Sequence, residues 1–538
     1  MLKLSGHGIG LLNAQYRSVL KKCLLLNVMA ASLAYALPAN AENAHANASG
    51  VNNNSGVATA ITHLNDKMGL EIGEHKDIGS LYVDKSFQNS IYSEGDRQET
   101  GGDNQYGPWI INYQNVYIGY KYEDFTPKEV TNTIEIANRH NTNGDIDFSG
   151  GGVVVSGSEK GTTNTLLQVR NTIFTNNSVS SSTTATGRFV ASGGALTTYS
   201  TKDNFIKNST FDANYAMSGA TAEGGAVSNV SAETGENSSS LTPTVGKLTS
   251  ENNVYKDNYA GNKTSDSNEK LAQFNEVNAE TAQGGAIYNS GVLTSTADTF
   301  INNQAFGKNA YGGAIRNAIE EGISKDDSGK VSLTNTAGVE NFVGNSAKGT
   351  AKAYGGAISN AADFSATNSI FKNNSVEASK GAGGGAVANE GVYASINENY
   401  INNSVTSATF ADGGAVMNAA DGTFTVTGSA IFENNKALTT SSEAFDDTGK
   451  ETAGARGGAV YNAGTFDAKN ADSISFKNNI AEGVNAHGGA FYNDETASGD
   501  DKAILNNVEF IGNSVIDNTT LPNQAGKVIR PSGGAVYN

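Results

Sequence analysis

The chain has 538 residues, a formal net charge of −18, 38% hydrophobic residues, 63 glycines and only 6 prolines. A surface this acidic repels phosphate backbones and anionic headgroups, which argues against nucleic acid and peripheral membranes as partners. The single cysteine, Cys23, lies near the amino terminus, so the rest of the chain can form no disulfide in any compartment.

Residues 1–41 carry Lys3, Arg17, Lys21 and Lys22 and no acid. After Lys22 an apolar run extends from Cys23 to Leu37, followed by Pro38 and the small-x-small triplet Ala39-Asn40-Ala41. This is the pattern of a secretory signal peptide with cleavage between Ala41 and Glu42, and the run is too short to span a bilayer comfortably. Residues 42–145 read as a polar amino-terminal segment followed by a cap. Within them "NQYGPWIINYQNVYIGYKYEDF" holds the only tryptophan, Trp109, with Tyr113 and Tyr117 close by. These three form a candidate binding cluster, since aromatic faces stack on sugars. A packed cap is the commoner fate of such residues. "DFSGGGVVVSG", Asp147 to Gly157, looks like a degenerate first copy of a repeat.

From Asp145 to the last residue that repeat dominates the chain, and a repeat must be explained before any single residue is. Gly-Gly-Ala followed by Leu, Ile, Val or Phe begins at Gly193, Gly224, Gly284, Gly312, Gly355, Gly384, Gly413, Gly457, Gly488 and Gly533. Alternating with it is aromatic-x-x-Asn, at Phe174, Phe211, Tyr255, Phe300, Phe342, Phe371, Tyr400, Phe432, Phe476 and Phe510. The least decorated copies, from Gly355 and from Gly384, are each 29 residues long. They contain short runs with aliphatics two apart, broken by Gly, Asn and Asp, and no sustained helical spacing.

Short strands and turns at such a period fit one winding of a solenoid. The expected fold is all-β, a parallel right-handed β-helix of about ten or more windings with an amino-terminal cap. Windings would stack at about 4.8 Å, with equivalent aliphatics such as Ile287, Ile315 and Ile358 in one column and the aromatic anchors in another. The glycine pair would supply positive φ or close backbone approach at a tight corner filled by alanine. Asparagines in register would hydrogen-bond along the axis. Longer copies carry insertions, such as "IEEGISKDDSGK" and "TTSSEAFDDTGKETAG", and the 60-residue interval after Gly224 reads as one winding with two of them. Insertions project from the edges of a rod, so a localised functional surface is expected there.

No catalytic, metal or cofactor site emerges. A polysaccharide lyase or hydrolase on this scaffold would need clustered carboxylates with a base, Arg or Ca²⁺ on one face, and the strand-like stretches offer Asn, Ser and Thr instead. "KDDSGK" lacks the context of a nucleophilic serine, and no calcium nonapeptide or zinc spacing occurs.

Gly-Gly-Ala-aliphatic alternating with Phe-x-x-Asn, behind a long basic leader, resembles the polymorphic outer membrane protein repeats of bacterial autotransporters, over Asp145 to Asn538. The resemblance implies a β-helical passenger exported to the surface of a Gram-negative bacterium, often adhesive, whose own carboxy-terminal barrel lies downstream in the full-length product. Partners would be host-cell or bacterial surface components, protein or glycan. Self-association between rods and a glycan-active enzyme are the other readings.

Overall fold

The computed structural model describes residues 80–83, 87–91, 110–112, 115–123, 126–131, 133–143, 154–156, 166–181, 190–234, 242–261, 279–320, 323, 328–446, 450–494, 503–518 and 532–538. Residues 1–41, with the Ala41–Glu42 junction, lie outside them. The described residues are all-β and form a parallel β-helix.

One undecorated winding shows the plan. After the corner at Gly355, the chain runs through strands Ile358–Asn360, Asp363–Thr367, Ile370–Lys372, Ser375–Ala378 and Gly381–Gly383 before the next corner at Gly384. Each strand pairs in parallel with its equivalents in the neighbouring windings. The strand after the corner stacks into a twelve-stranded sheet from Ile110–Asn112 to Val536–Tyr537. At the usual inter-strand spacing that is a shaft of about 50 Å. The 60-residue interval is one winding, because Val227 pairs directly with Ile287. Its first insertion begins with an antiparallel hairpin, Ala232–Thr234 against Thr242–Thr244. Val154 joins the column under Leu196, as the degenerate copy suggested, and pairing continues below it to Ile110. Regular strand stacking therefore reaches into the expected cap region, on sequence that lacks the glycine corner.

The aliphatic column is continuous in register, Leu196–Val227–Ile287–Ile315–Ile358–Val387–Val416–Val460–Phe491–Val536. The aromatic anchors form a second column. From Phe174 to Phe510 every ring stacks on the next at 4.7–5.1 Å between centroids. That distance is the strand spacing itself, so backbone pairing fixes the stacking geometry. A further column, Phe364–Tyr393–Phe424–Phe466, is not evident from the repeat tags because its lower members are Leu248, Leu293 and Val331.

The constant offset between aromatic and asparagine has two causes. The residue before the asparagine adopts a left-handed turn, as at Asn302, Asn373 and Asn402, with φ of 53°, 57° and 56°. That conformation admits Asn and Gly cheaply, and "FVGN" and "FIGN" place Gly344 and Gly512 there. The asparagine itself turns inward and is fully buried. Asn374 Oδ1 accepts from the Asn345 backbone N and from Asn345 Nδ2 at 2.9 and 3.0 Å. Its Nδ2 donates to Phe342 O and Asn403 Oδ1, both at 3.0 Å. Both donors and both lone pairs of the amide are used, which is what makes a buried polar column tolerable. A second ladder runs Asn229–Asn289–Asn317–Asn360–Asn389–Asn418–Asn462–Asn493, three residues after each corner alanine.

The corner uses its two glycines differently. The first, from Gly193 to Gly533, has φ between 59° and 72° in every copy. The second has ordinary φ, but a methyl group there would collide with the next winding. At Gly285 it would strike the Gly313 carbonyl and the Gln304 amide. The second glycine thus packs against the start of the strand after the asparagine turn. This pinch divides the interior into a wide lobe of aromatics and aliphatics and a narrow lobe of Ala282, Ala310, Ala353, Ala382, Ala411 and their neighbours.

Two acids break the interior pattern: Asp298, which accepts from the Asn253 backbone N at 2.7 Å and from Ser295 Oγ at 2.6 Å and which burial raises to about 6, and Glu398. Glu398 is fully buried. Its Oε2 accepts from the Tyr400 hydroxyl at 2.7 Å and its Oε1 from Tyr393 at 3.4 Å. Burial pushes its carboxyl up to about 8, with the hydrogen bonds of Ser395, Tyr400, Ser369 and Tyr393 opposing the rise. The carboxyl is therefore neutral at pH 7 in the folded chain and ionised in the unfolded one.

These columns make two predictions. Asn374→Ala should cost about 3 kcal/mol by stranding buried partners, Asn373→Val about 1–2 kcal/mol by forcing a β-branched residue left-handed, and Asn373→Gly a few tenths. Chemical denaturation of the three variants checks that order. For Glu398 the folded-state affinity for a proton is the higher, so stability is fully present below about pH 4.5 and is lost as pH rises through about 8. Glu398→Gln should flatten that loss and raise the unfolding midpoint at pH 9, while leaving it nearly unchanged at pH 4.

Candidate functional groove

Because the corner is pinched inward, its outer side is concave. Two rows of side chains face each other across it. One row is the residue just before each glycine pair, including Glu223, Gln283, Tyr311, Tyr354, Asp412, Arg456 and His487. The other is the residue after each core aliphatic, including Tyr288, Arg316, Met417, Tyr461, Tyr492 and Tyr537. Strand alternation points the second row away from the core. Even so, Tyr288, Met417 and Tyr461 are only 6%, 7% and 8% exposed, because the opposite row shields them. A Cβ at Gly383 would meet the Met417 sulfur, which shows how closely the rows approach.

The groove is aromatic. Tyr311 and Tyr354 stack at 6.0 Å, Tyr461 and Tyr492 at 5.5 Å, and Tyr492 and Tyr537 at 4.8 Å. Burial raises the phenol of Tyr354 to about 12, assisted by the charge of Asp412, so it remains a neutral donor at every physiological pH. Burial likewise raises Tyr461 and Tyr492 well above the ordinary phenol range.

Charge concentrates at the upper end. Arg456 grips Asp412 with two bonds, Nε to Oδ1 at 2.7 Å and Nη2 to Oδ2 at 2.8 Å. Its guanidinium lies 4.6 Å from the ring centroids of both Phe410 and Tyr461. Their side chains are 16% and 13% exposed for Arg456 and Asp412, so the pair is largely but not wholly shielded from solvent. Tyr461 donates its hydroxyl to Asp494. The insertion that precedes Gly454 folds back to this point and delivers Glu451, whose Oε1 accepts from Asn485 Nδ2 at 2.7 Å. Burial raises the carboxyls of Asp412 and Glu451, Arg456 pulls both down, and Asp494 pushes both up. Burial also lowers His487, whose ring is therefore neutral at pH 7.

The expected binding cluster fares differently. Trp109 and Tyr113 lie outside the described residues. Tyr117 is half-buried, edge-to-face with Tyr120 at 5.7 Å, and far in sequence from the groove. The corner glycines and aromatic anchors are where the repeat placed them, but they build the shaft and its pinch and contact nothing outside. The repeat tags do not single out the groove residues. Their signal is the variable letter in "GGAIYN", "GGAIRN", "GGAVMN" and "GGAFYN", together with the letter before each glycine pair. One of the insertions expected to project from the shaft supplies Glu451 to this groove.

Among the described residues no group of three or more His, Cys, Asp or Glu side chains is placed to hold a metal ion. Comparison with protein-family models, curated proteins and solved structures gave no match.

The Arg456–Asp412 pair makes a clear prediction. Arg456→Met should cost about 2–3 kcal/mol at neutral pH by leaving a mostly shielded carboxylate without its guanidinium, and adding Asp412→Leu should recover most of that loss. A double-mutant cycle by chemical denaturation measures both numbers.

Proposed function

We propose that the chain is a surface-displayed binding protein, an adhesin-type passenger of a Gram-negative autotransporter, and that its ligand lies along the glycine-corner groove. The observation that carries this reading is the groove itself: tyrosines in stacked pairs along the outer side of the corner, among them the half-buried Tyr311 and Tyr354. Large aromatics held at fixed spacing give contact area at small entropic cost, which is what recognition of a surface component requires. The leader pattern of residues 1–41 and the alternating repeat tags support export and display.

Binding is favoured over glycan cleavage by what the groove acids do. Hydrolysis of a glycosidic bond calls for one carboxyl that protonates the leaving oxygen and a second that acts as base or nucleophile. Here Asp412 is held by both arms of Arg456, and Asp494 receives the Tyr461 hydroxyl.

Binding of the full chain to host-cell monolayers tests the proposal. Tyr311→Ser with Tyr354→Ser should weaken saturable binding by about tenfold or more with little change in unfolding midpoint, as expected for aromatic anchors. Undiminished cell binding by that variant would remove the groove from the function. Release of reducing or unsaturated sugar ends from cell-surface glycans would replace binding by catalysis.

A further inference from the structure

Two lysines stand beside the lower tyrosine pair of the groove without an acid of their own. Strand Ser346–Tyr354 ends in Lys352-Ala353-Tyr354. Ala353 is buried in the narrow lobe, so Lys352 and Tyr354 both face outward, the lysine exposed and the tyrosine half-buried. In the next winding Lys352 pairs with Gly381. The residue before that glycine is Lys380, which is also exposed and whose backbone N donates to Ala351 O at 2.8 Å. Tyr354 leans toward the same point, its hydroxyl 3.5 Å from where a Cβ on Gly381 would stand. A phenol tip and two ammonium side chains thus start from adjacent positions at one edge of the groove.

The charges around that edge are mostly spoken for. Lys308 pairs with Glu280 at 2.7 Å and Lys348 with Glu377 at 2.9 Å. Asp412 is held by both arms of Arg456. Arg316, 5.0 Å from the Tyr311 ring, shares its surroundings with Glu223 and Glu320 at Tyr288. Lys352 and Lys380 have no ion-pair partner among the described residues, and the one further acid acting on Tyr311 and Tyr354 is Glu390, across the groove after strand Val387–Asn389. The edge is therefore locally positive on a chain whose net charge is −18. Charge is screened over about 8 Å at physiological ionic strength, so a ligand here meets the two lysines and not the distant acids. The Tyr354 hydroxyl makes no hydrogen bond among the described residues, is not sealed from solvent, and stays protonated at physiological pH, so it too has a hydrogen to offer.

We propose that this edge of the groove binds an acidic glycan, a sugar chain that carries carboxylate or sulfate groups. A pyranose ring lies with its C–H face on the exposed part of the Tyr311–Tyr354 pair, and its anionic group is held between Lys352 and Lys380 with the Tyr354 hydroxyl donating. The proposal rests on the groove being the binding face and names the chemistry of its ligand. A neutral sugar would stack on the same rings and leave both ammonium groups unused. An acidic peptide would meet the ammonium groups but has no flat C–H face to cover the rings.

The test uses the full chain and four labelled probes in fluorescence anisotropy: a chondroitin sulfate hexasaccharide, the unsulfated chondroitin hexasaccharide, the unsulfated form with its carboxyls reduced to alcohols, and a polyglutamate peptide. The three sugars share one backbone and differ in charge. The sulfated sugar should bind about tenfold or more tightly than the reduced one, and its affinity should fall with added salt. The unsulfated sugar tells which anion is read, matching the sulfated one if carboxylates suffice and the reduced one if sulfate is required. Lys352→Glu with Lys380→Glu should weaken the sulfated sugar about tenfold or more and leave the unfolding midpoint near that of the parent, since both side chains are exposed. Lys247→Glu with Lys330→Glu changes the net charge equally on another face and should leave the affinity nearly unchanged. Equal binding of the reduced sugar, tighter binding of polyglutamate, or the same response to both double variants would overturn the proposal. If the first double variant does not fold, the comparison of charged and reduced sugars decides alone. Cell binding that depends on Tyr311 and Tyr354 while neither charged sugar binds would refute this inference and leave the groove's role standing.

Discussion

A single axial spacing governs this molecule. Parallel strands sit about 4.8 Å apart, and every side chain in register with its equivalent must accept that distance to the next copy of itself. Flat rings accept it by stacking, carboxamides by donating to one neighbour and accepting from the other, and aliphatics by simple contact. Few other chemistries do. A column of like charges would repel at that spacing, and on the outer faces the lysines and acids of neighbouring windings instead alternate in sign. The restricted alphabet of the repeat, with Gly, Ala, Asn, Phe and Ile at matched places, is the consequence.

The same constraint explains why the two glycines of the corner cannot be exchanged for alanine. The first is held by its backbone angle and the second by the neighbouring strand, so the pair needs glycine for two unrelated reasons. Pinching the corner separates a wide lobe from a narrow, alanine-lined one, and the concavity outside it is the by-product. A groove therefore runs beside the shaft's most uniform feature. The lining positions are set by the repeat, while the residues at those positions are free to vary, because they face outward and no stacking partner is obligatory.

Within that groove variation is concentrated where the repeat is interrupted. An insertion returns Glu451 toward Arg456, where Asp412 and Asp494 also lie. Interior exceptions are of another kind. Glu398 is accepted by the core as a neutral acid among tyrosine hydroxyls, and Asp298 is a second buried carboxyl raised by burial, so the shaft carries interior positions whose stability depends on pH without touching solvent.

The repeat tags alone determined the all-β class, the stacking of windings, the aliphatic and aromatic columns, and the reading of the 60-residue interval as a single winding. These are properties of residues that recur, and recurrence is visible in one dimension. The second asparagine ladder and the Phe364–Phe466 column are equally periodic but hidden, the first because it shares its letters with the corner motif, the second because it changes from aliphatic to aromatic halfway. What only the tertiary structure decided is the pinch and the groove outside it. Asp412 and Arg456 are register neighbours, each just before its glycine pair, but no spacing in the chain brings the facing row of tyrosines up to them. Their meeting depends on the second glycine lying against the next strand, a contact between windings that leaves no mark on the sequence except the absence of a side chain.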